Sequence, residues 1–152
     1  MLTQRYKLIA LGLLFLILFI STPAELMAQE TTLYDRLGGQ VGIEAVVDEF
    51  LLNVAGDERI NAYFSGVDLE RLGRLLTEQI CEATGGPCTY TGRNMGQAHA
   101  GLGITEADFN ALVEDLVKAL DTFVVPEQTQ NQLLAILASL KEDIVAAPAN
   151  EK

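Results

Sequence analysis

The sequence has 152 residues, of which 49% are hydrophobic and 20% charged, with 10 basic and 21 acidic side chains. This length fits a single domain, and the formal charge of −11 excludes a basic protein that binds nucleic acid or anionic lipid surfaces. Thirteen glycines and four prolines are too few for a low-complexity chain.

The first 28 residues have the composition of a secretory signal peptide. A basic pair, Arg5 and Lys7, precedes an uncharged apolar run at residues 8–20. We expect cleavage after Ala28, export to a bacterial periplasm and no membrane attachment after cleavage. The alternative is an uncleaved anchor in the inner membrane through residues 8–20, although a bilayer span takes about 20 apolar residues.

The remaining chain has helical periodicity throughout and no alternating strand pattern. Apolar side chains recur every three or four residues in four segments, which predicts helices over residues 42–54, 69–84, 106–120 and 127–147. A shorter helical turn ends at Tyr63 and Phe64. The pattern predicts one all-α domain over residues 30–147, followed by a flexible tail at residues 148–152.

Polar residues and a proline mark where three of these helices begin. Asp68 can cap the helix that starts at residue 69. Thr105 and Asp108 have the spacing of a capping box. Pro126 suits the first turn of the last helix, because a proline there gives up no intrahelical hydrogen bond.

The two cysteines lie in the stretch CEATGGPC at residues 81–88. Export favours a disulfide between Cys81 and Cys88, and the glycine-glycine-proline turn can bring them together. Closing so short a loop stabilises a protein by ~2–3 kcal/mol when the geometry is unstrained. The alternative is two reduced thiols. A zinc site is not expected, because the sequence places no second pair or histidine nearby.

His99 is the only histidine of the chain, and small residues surround it in NMGQAHAGLGI at residues 94–104. Small neighbours let a broad, flat ligand approach the backbone. One imidazole cannot form a catalytic triad or a two-histidine metal site, but the axial ligation of haem iron needs only one. The alternative is a core or surface histidine with a satisfied hydrogen bond.

The chain resembles the group I truncated haemoglobins over about residues 32–146. The resemblance is carried by five motifs: LYDRLGG at 33–39, AYFSG at 62–66, GGPCTYTGRNM at 85–95, AHAGLGI at 98–104 and DFNALVEDLVKAL at 108–120. It implies the truncated-globin two-over-two helical sandwich around haem b, iron protoporphyrin IX. The sequence has no CxxCH motif for covalent haem attachment.

The resemblance also implies a role for individual residues. His99 matches the proximal histidine that binds iron, with its other ring nitrogen held by a backbone carbonyl. Phe64 matches the phenylalanine that packs on the haem face, and Met95 and Ile104 match proximal lining positions. The positions that often hold the haem propionates in the family are occupied by Arg71, Arg74, Tyr90 and Arg93.

The distal side departs from the family pattern. Many group I members have a tyrosine directly after a phenylalanine in the first long helix, but here Leu51 follows Phe50. The next helix often supplies a glutamine one turn after the distal position, and Leu72 and Leu76 occupy those two places. The resemblance therefore implies an apolar distal pocket without the usual hydrogen-bond donors.

We expect an exported globin that reversibly binds O2, CO or NO at a five-coordinate haem iron, for oxygen binding and transport or for NO scavenging. The distal leucines predict weak oxygen retention. One alternative is an NO dioxygenase or peroxidase-like enzyme, which needs an unknown reductase or another electron donor. A second alternative is a haem-free helical module that binds a partner. Gas binding is favoured over turnover because the pocket is apolar and no reductase domain follows.

Overall fold

The computed structural model describes residues 31–145, which form helices and connecting loops without any β-strand. The described elements, in chain order, are α1 Leu33–Arg36, α2 Gly39–Gly56, a 3₁₀ turn Asn61–Phe64, α3 Leu69–Ala83, α4 Met95–His99, α5 Glu106–Thr122, α6 Glu127–Ala138 and α7 Lys141–Ile144. The all-α expectation is confirmed. The apolar run at residues 8–20, the cleavage site after Ala28 and the tail at 148–152 lie outside the described residues.

The helix starts follow from local side-chain chemistry. Asp68 precedes α3, and its carboxylate accepts a hydrogen bond from the Arg71 amide. Thr105 and Asp108 form the predicted capping box at the start of α5, with reciprocal side-chain bonds to backbone amides. Both predicted caps are confirmed.

A sharp turn separates α1 from α2 and depends on glycine. Gly38 has a φ of +87°, a left-handed backbone conformation that residues with a Cβ rarely adopt. The chain also approaches itself closely here, because a Cβ on Gly42 would lie 2.1 Å from the carbonyl oxygen of Leu37. This turn sets the direction in which α2 enters the core.

The core forms where α2 packs against both α3 and α5. Its fully or nearly fully buried side chains include Ile43, Val47, Val54, Ile80, Leu120 and Leu133. Burying each such aliphatic side chain contributes about 1.5–3 kcal/mol. α2 with α3 and α5 with α6 make the two helical pairs of the two-over-two sandwich.

The last predicted helix is not continuous. The helix predicted over residues 127–147 ends at Ala138, and a separate four-residue helix, α7, begins at Lys141. The Ser139 hydroxyl donates to the carbonyl oxygen of Ile136 at 2.6 Å, which competes with the regular helical bonding pattern. Pro126 is the N-cap of α6 rather than part of its first turn.

Two details of the helices bear on the site. The helix that ends at His99 has only five residues, Met95–His99. Leu69, the first residue of α3, is 43% exposed. Within residues 31–145 no helix combines the length and the apolar character that a membrane crossing requires.

Candidate functional site

A cavity of about 490 Å³ opens between α3 on one side and α4 and α5 on the other. This volume lies within the range of small-molecule and cofactor sites. Nine of the ten predicted site residues line it: His99, Phe64, Met95, Arg71, Arg93, Tyr90, Leu72, Leu76 and Ile104. The structure thus brings together residues that are far apart in the sequence, although their role toward haem stays a prediction.

His99 stands at the end of the short helix α4 and faces the cavity. Its Nδ1 lies 2.8 Å from the carbonyl oxygen of Met95, one turn earlier. A carbonyl only accepts hydrogen bonds, so Nδ1 carries the proton and donates it. Nε2 is left unprotonated in the neutral ring, which is the form that can bind a metal. The expected backbone partner of the second ring nitrogen is therefore present.

The wall opposite His99 is largely apolar. Leu72 and Leu76 project from α3 into the cavity, and Phe64 joins them from the 3₁₀ turn. Leu75, which sequence reasoning did not single out, also lines this wall. Hydrocarbon side chains offer a bound ligand dispersion contacts but no hydrogen-bond donor.

Leu51 is the one predicted site residue that the structure places elsewhere. It lines a second cavity of about 480 Å³, bounded by the end of α2 and the start of α3, and Phe64 is the residue that both cavities share. A Cβ added at Gly73 would lie 3.3 Å from the Cδ1 atom of Leu51. Leu51 thus packs onto α3 where a glycine leaves room, and its side chain does not reach the main cavity.

Two arginines stand at the mouth of the main cavity. Arg71 and Arg93 are exposed and line its rim, and within residues 31–145 neither guanidinium forms an ion pair. Arg74 behaves differently, because its guanidinium pairs with Glu78 at 2.5 Å and does not line the cavity. The first two cations are therefore available to a carboxylate ligand at the rim, and Arg74 is engaged elsewhere.

The loop between α3 and α4 is tied to α3 by a carboxylate. Glu78 accepts hydrogen bonds from the amide of Thr91 at 3.0 Å and from its hydroxyl at 2.6 Å. The hydrogen bond from the Thr91 side chain is the main reason that the pKa of Glu78 lies below its usual value. This clamp fixes the middle of the loop against the cavity wall.

Tyr90 orders the next part of the same loop. Its hydroxyl donates to the carbonyl oxygen of Arg93 at 2.8 Å, and burial raises the pKa of Tyr90. Gly92 lies directly beneath, since a Cβ there would come within 2.2 Å of the Tyr90 hydroxyl oxygen. The loop closes on itself and leaves the Tyr90 ring in the cavity lining.

Cys81 and Cys88 form a disulfide, so the alternative of two reduced thiols is wrong for this structure. Cys81 is completely buried near the end of α3. The turn packs so tightly that a Cβ on Gly86 would lie 2.5 Å from the Tyr34 ring and 2.6 Å from the Cys81 sulfur. The bond fixes the start of the loop that leads to Tyr90.

Two polar contacts at the cavity were missed by sequence reasoning. The hydroxyl of Tyr63 donates to Asp108 at 3.0 Å. This bond raises the pKa of Tyr63, and the pKa of Asp108 is lowered, chiefly by the Thr105 hydroxyl and further by Tyr63. Tyr63 could be expected near the cavity because it is adjacent to Phe64. Its hydrogen-bond partner on α5 could not be predicted, because the distance between the two elements is known only from the fold.

Gln79 is the second missed contact. It lines the cavity, and its amide nitrogen lies 3.4 Å from the sulfur of Met95. A signal was present in the sequence. Gln79 follows Leu72 by seven residues, which is close to two helical turns and places both on one face.

A helical sandwich with one histidine facing an apolar wall, and with arginines at the mouth, defines the class of the globins. The sequence profile of the bacterial-like globin family matches residues 32–146. The protein belongs to this family.

Relatives and solved structures agree with this assignment. The chain is 36% identical to the group 1 truncated haemoglobin GlbN of Mycolicibacterium paratuberculosis over 124 residues, which are 82% of this chain and 91% of that protein. It is 29% identical to the group 1 truncated haemoglobin of Tetrahymena pyriformis, over 78% of this chain and 98% of the relative.

The crystal structure of the Tetrahymena pyriformis protein in its Fe(III) form superposes with a TM-score of 0.74 at 28% identity, covering 76% of this chain and 99% of that one. The Synechococcus 2/2 haemoglobin, solved in the cyanomet state with covalently attached haem, gives a TM-score of 0.71 at 28% identity, covering 75% of this chain and 98% of that one. The two-over-two sandwich is confirmed by these matches.

Proposed function

We propose that this protein is an exported globin that holds haem b through Nε2 of His99 and reversibly binds diatomic gases at a five-coordinate iron. The observation that carries the proposal is the contact between His99 Nδ1 and the Met95 carbonyl, because it directs the free nitrogen of the only imidazole into an apolar cavity. When bound, haem would supply the iron atom that takes the gas molecule, and His99 would hold it.

The residues present fit this group. A haem has a flat apolar ring and two carboxylates at one edge. Phe64, Leu72 and Leu76 provide apolar surface, while Arg71 and Arg93 provide cations at the rim. In this assignment Met95 and Ile104 contact the ring on the histidine side, and Tyr90 joins the arginines at the propionates. No CxxCH motif occurs in the sequence, which favours the non-covalent b type.

The distal leucines determine which gas is retained. A gas ligand that acquires negative charge is stabilised by a hydrogen-bond donor, and a hydrogen bond to a charged group contributes about 1.5–3 kcal/mol. Leu72 and Leu76 have no donor to offer. We therefore expect oxygen to dissociate about 10–100-fold faster than from a pocket with a donor. CO and NO depend less on such a bond and are relatively favoured.

The role that follows is gas binding, as an oxygen carrier or an NO scavenger. NO dioxygenation and peroxidase-like chemistry are less favoured, because both need a supplied electron donor and NO dioxygenation also needs oxygen to be held long enough to react. Export is supported by the apolar N-terminal run and by the Cys81–Cys88 disulfide, since such bonds persist in oxidising compartments.

The test is the visible spectrum of the purified chain from residue 29 onward, reconstituted with haem. The described residues 31–145 lie within one compact unit, so this form retains the domain. The proposal predicts a Soret band that moves on reduction and again on adding CO, followed by fast oxygen release in stopped-flow experiments. A chain that takes up no haem contradicts the haem proposal, and slow oxygen release contradicts the apolar-pocket account.

A further inference from the structure

The helix that carries His99 cannot hold its position by itself. α4 has five residues and buries none of them completely. Helices much shorter than about 12 residues are marginal in water, because nucleation is unfavourable and few hydrogen bonds follow. The direction of the imidazole therefore depends on what holds α4 from outside.

One support comes from α7, which packs against α4 at the outer side. A Cβ on Gly96 would lie 3.9 Å from the carbonyl oxygen of Asp143, so the two backbones are close. This contact involves the backbone of α4 and supplies no hydrogen bond to the Met95 side chain.

The other support reaches α4 from the opposite wall of the cavity. The Gln79 amide on α3 donates to the sulfur of Met95 at 3.4 Å. Among the hydrogen bonds of residues 31–145, this one alone joins α3 to α4. Sulfur is a weak acceptor, but both side chains are partly buried, where competition from water is reduced.

Met95 is where this support meets the histidine. The Met95 sulfur accepts from Gln79, and its carbonyl oxygen accepts from Nδ1 of His99 at 2.8 Å. When loss of the side-chain contact lets the Met95 backbone shift, the carbonyl moves, and the imidazole that donates to it must follow. Three residues thus connect the distal helix to the proximal imidazole.

We propose that Gln79 is a positioning residue for the proximal histidine. It holds Met95, and through the Met95 carbonyl it sets the orientation of the His99 ring and the strength of the Nδ1 hydrogen bond. This inference rests on the proposed haem ligation by His99. Gln79 lies on α3, the distal helix, but its amide contacts α4. Its effect is therefore on the histidine side of the cavity.

The experiment compares haem-loaded variants by resonance Raman spectroscopy and by the rate of haem transfer to an acceptor globin. Gln79→Leu removes the donor at similar volume, and Met95→Leu removes the sulfur. Gln97→Leu is the matched control, because it makes the same change at an exposed position of α4 outside the cavity lining.

We expect Gln79→Leu and Met95→Leu to shift the iron–histidine stretching band of the ferrous protein. Both should also speed haem loss about 2–10-fold, which corresponds to the loss of one hydrogen bond. The double variant should change no more than the larger single variant. Gln97→Leu should leave both measurements at the wild-type values.

An unmoved iron–histidine band in Gln79→Leu would overturn the inference, provided that the wild-type protein shows such a band. If oxygen release in this variant is also faster by tenfold or more, Gln79 is a distal donor instead. Absence of the band in the wild-type protein itself would instead contradict the proposed haem ligation.

Discussion

The two walls of the cavity are held in place by different kinds of contact. The distal wall is α3, a 15-residue helix that buries Thr77, Ile80 and Cys81 and packs along α2. The proximal wall is α4, with five residues and no fully buried side chain. The distal wall therefore owes its position to the burial of a long helix against the core, whereas the proximal wall depends on a few polar tethers and one disulfide.

Because of this difference, the chemistry of the distal wall and the geometry of the proximal wall can be changed separately. The chemistry of the distal wall can change at one residue without moving the helix, because the core fixes its backbone. The geometry of the proximal wall can change when a single tether is lost, even far from the histidine.

The largest effect is expected from removing the disulfide. The double variant Cys81→Ser and Cys88→Ser should lower the free energy of unfolding by ~2–3 kcal/mol, the value for closing so short a loop. Hydrogen exchange should show the protection lost mainly between Tyr90 and His99, with α2 protected nearly as before. Equal loss of protection in both segments would contradict the claim that the core holds the distal wall while tethers hold the proximal wall.

The next effect tests the distal wall. Leu76→Gln places an amide donor in the apolar surface and should slow oxygen dissociation about 10–100-fold, with little change for CO. Stopped-flow measurement on the haem-loaded protein gives both rates, and Leu76→Met is the control that keeps the volume without a donor. If Leu76→Met slows oxygen release as much as Leu76→Gln, packing rather than hydrogen bonding governs retention.

The smallest effect concerns the pH dependence of stability at the end of α2, in the part of the fold that the core holds. The carboxylate of Asp57, just after α2, accepts hydrogen bonds from Arg59, which lower its pKa from 3.8 to about 2. Because the folded-state pKa is depressed, this contribution to stability is present above about pH 4 and is lost as the pH falls toward 2. Arg59 also pairs with Glu114 on α5.

The measurement is chemical denaturation between pH 5 and pH 2. Asp57→Asn and Arg59→Gln should each flatten the fall in stability between pH 4 and pH 2, and neither should alter protection of the segment from Tyr90 to His99. A wild-type slope in both variants would show that other carboxylates control acid unfolding.

Most of the fold could be predicted from the sequence because its signals are local. Helical periodicity gave the long helices, and Asp68 and Thr105 marked helix starts through bonds that span only three residues. The break after Ala138 was missed because an apolar stripe continues across it. Ser139 can either continue a helix or bond back to a carbonyl, and periodicity does not distinguish the two.

The candidate site likewise has residues that could be predicted from the sequence and residues that could not. Nine of its ten residues line one cavity, since the resemblance supplied positions that the fold then brought together. Leu51 lines the neighbouring cavity instead, because its direction depends on a glycine, Gly73, on another helix. The contacts of Tyr63 and Gln79 were missed for a related reason, since each partner lies on an element whose distance is fixed only by packing.

The central claim is that Nε2 of His99 is the protein ligand of the haem. The most direct measurement is haem content and CO binding in His99→Gly, with and without added imidazole, beside a Gln97→Gly control on the same helix. The account predicts that the variant loses haem retention and that imidazole restores a CO-responsive Soret band, while the control behaves as the wild-type protein. Unchanged haem content and CO affinity in His99→Gly without imidazole would contradict it.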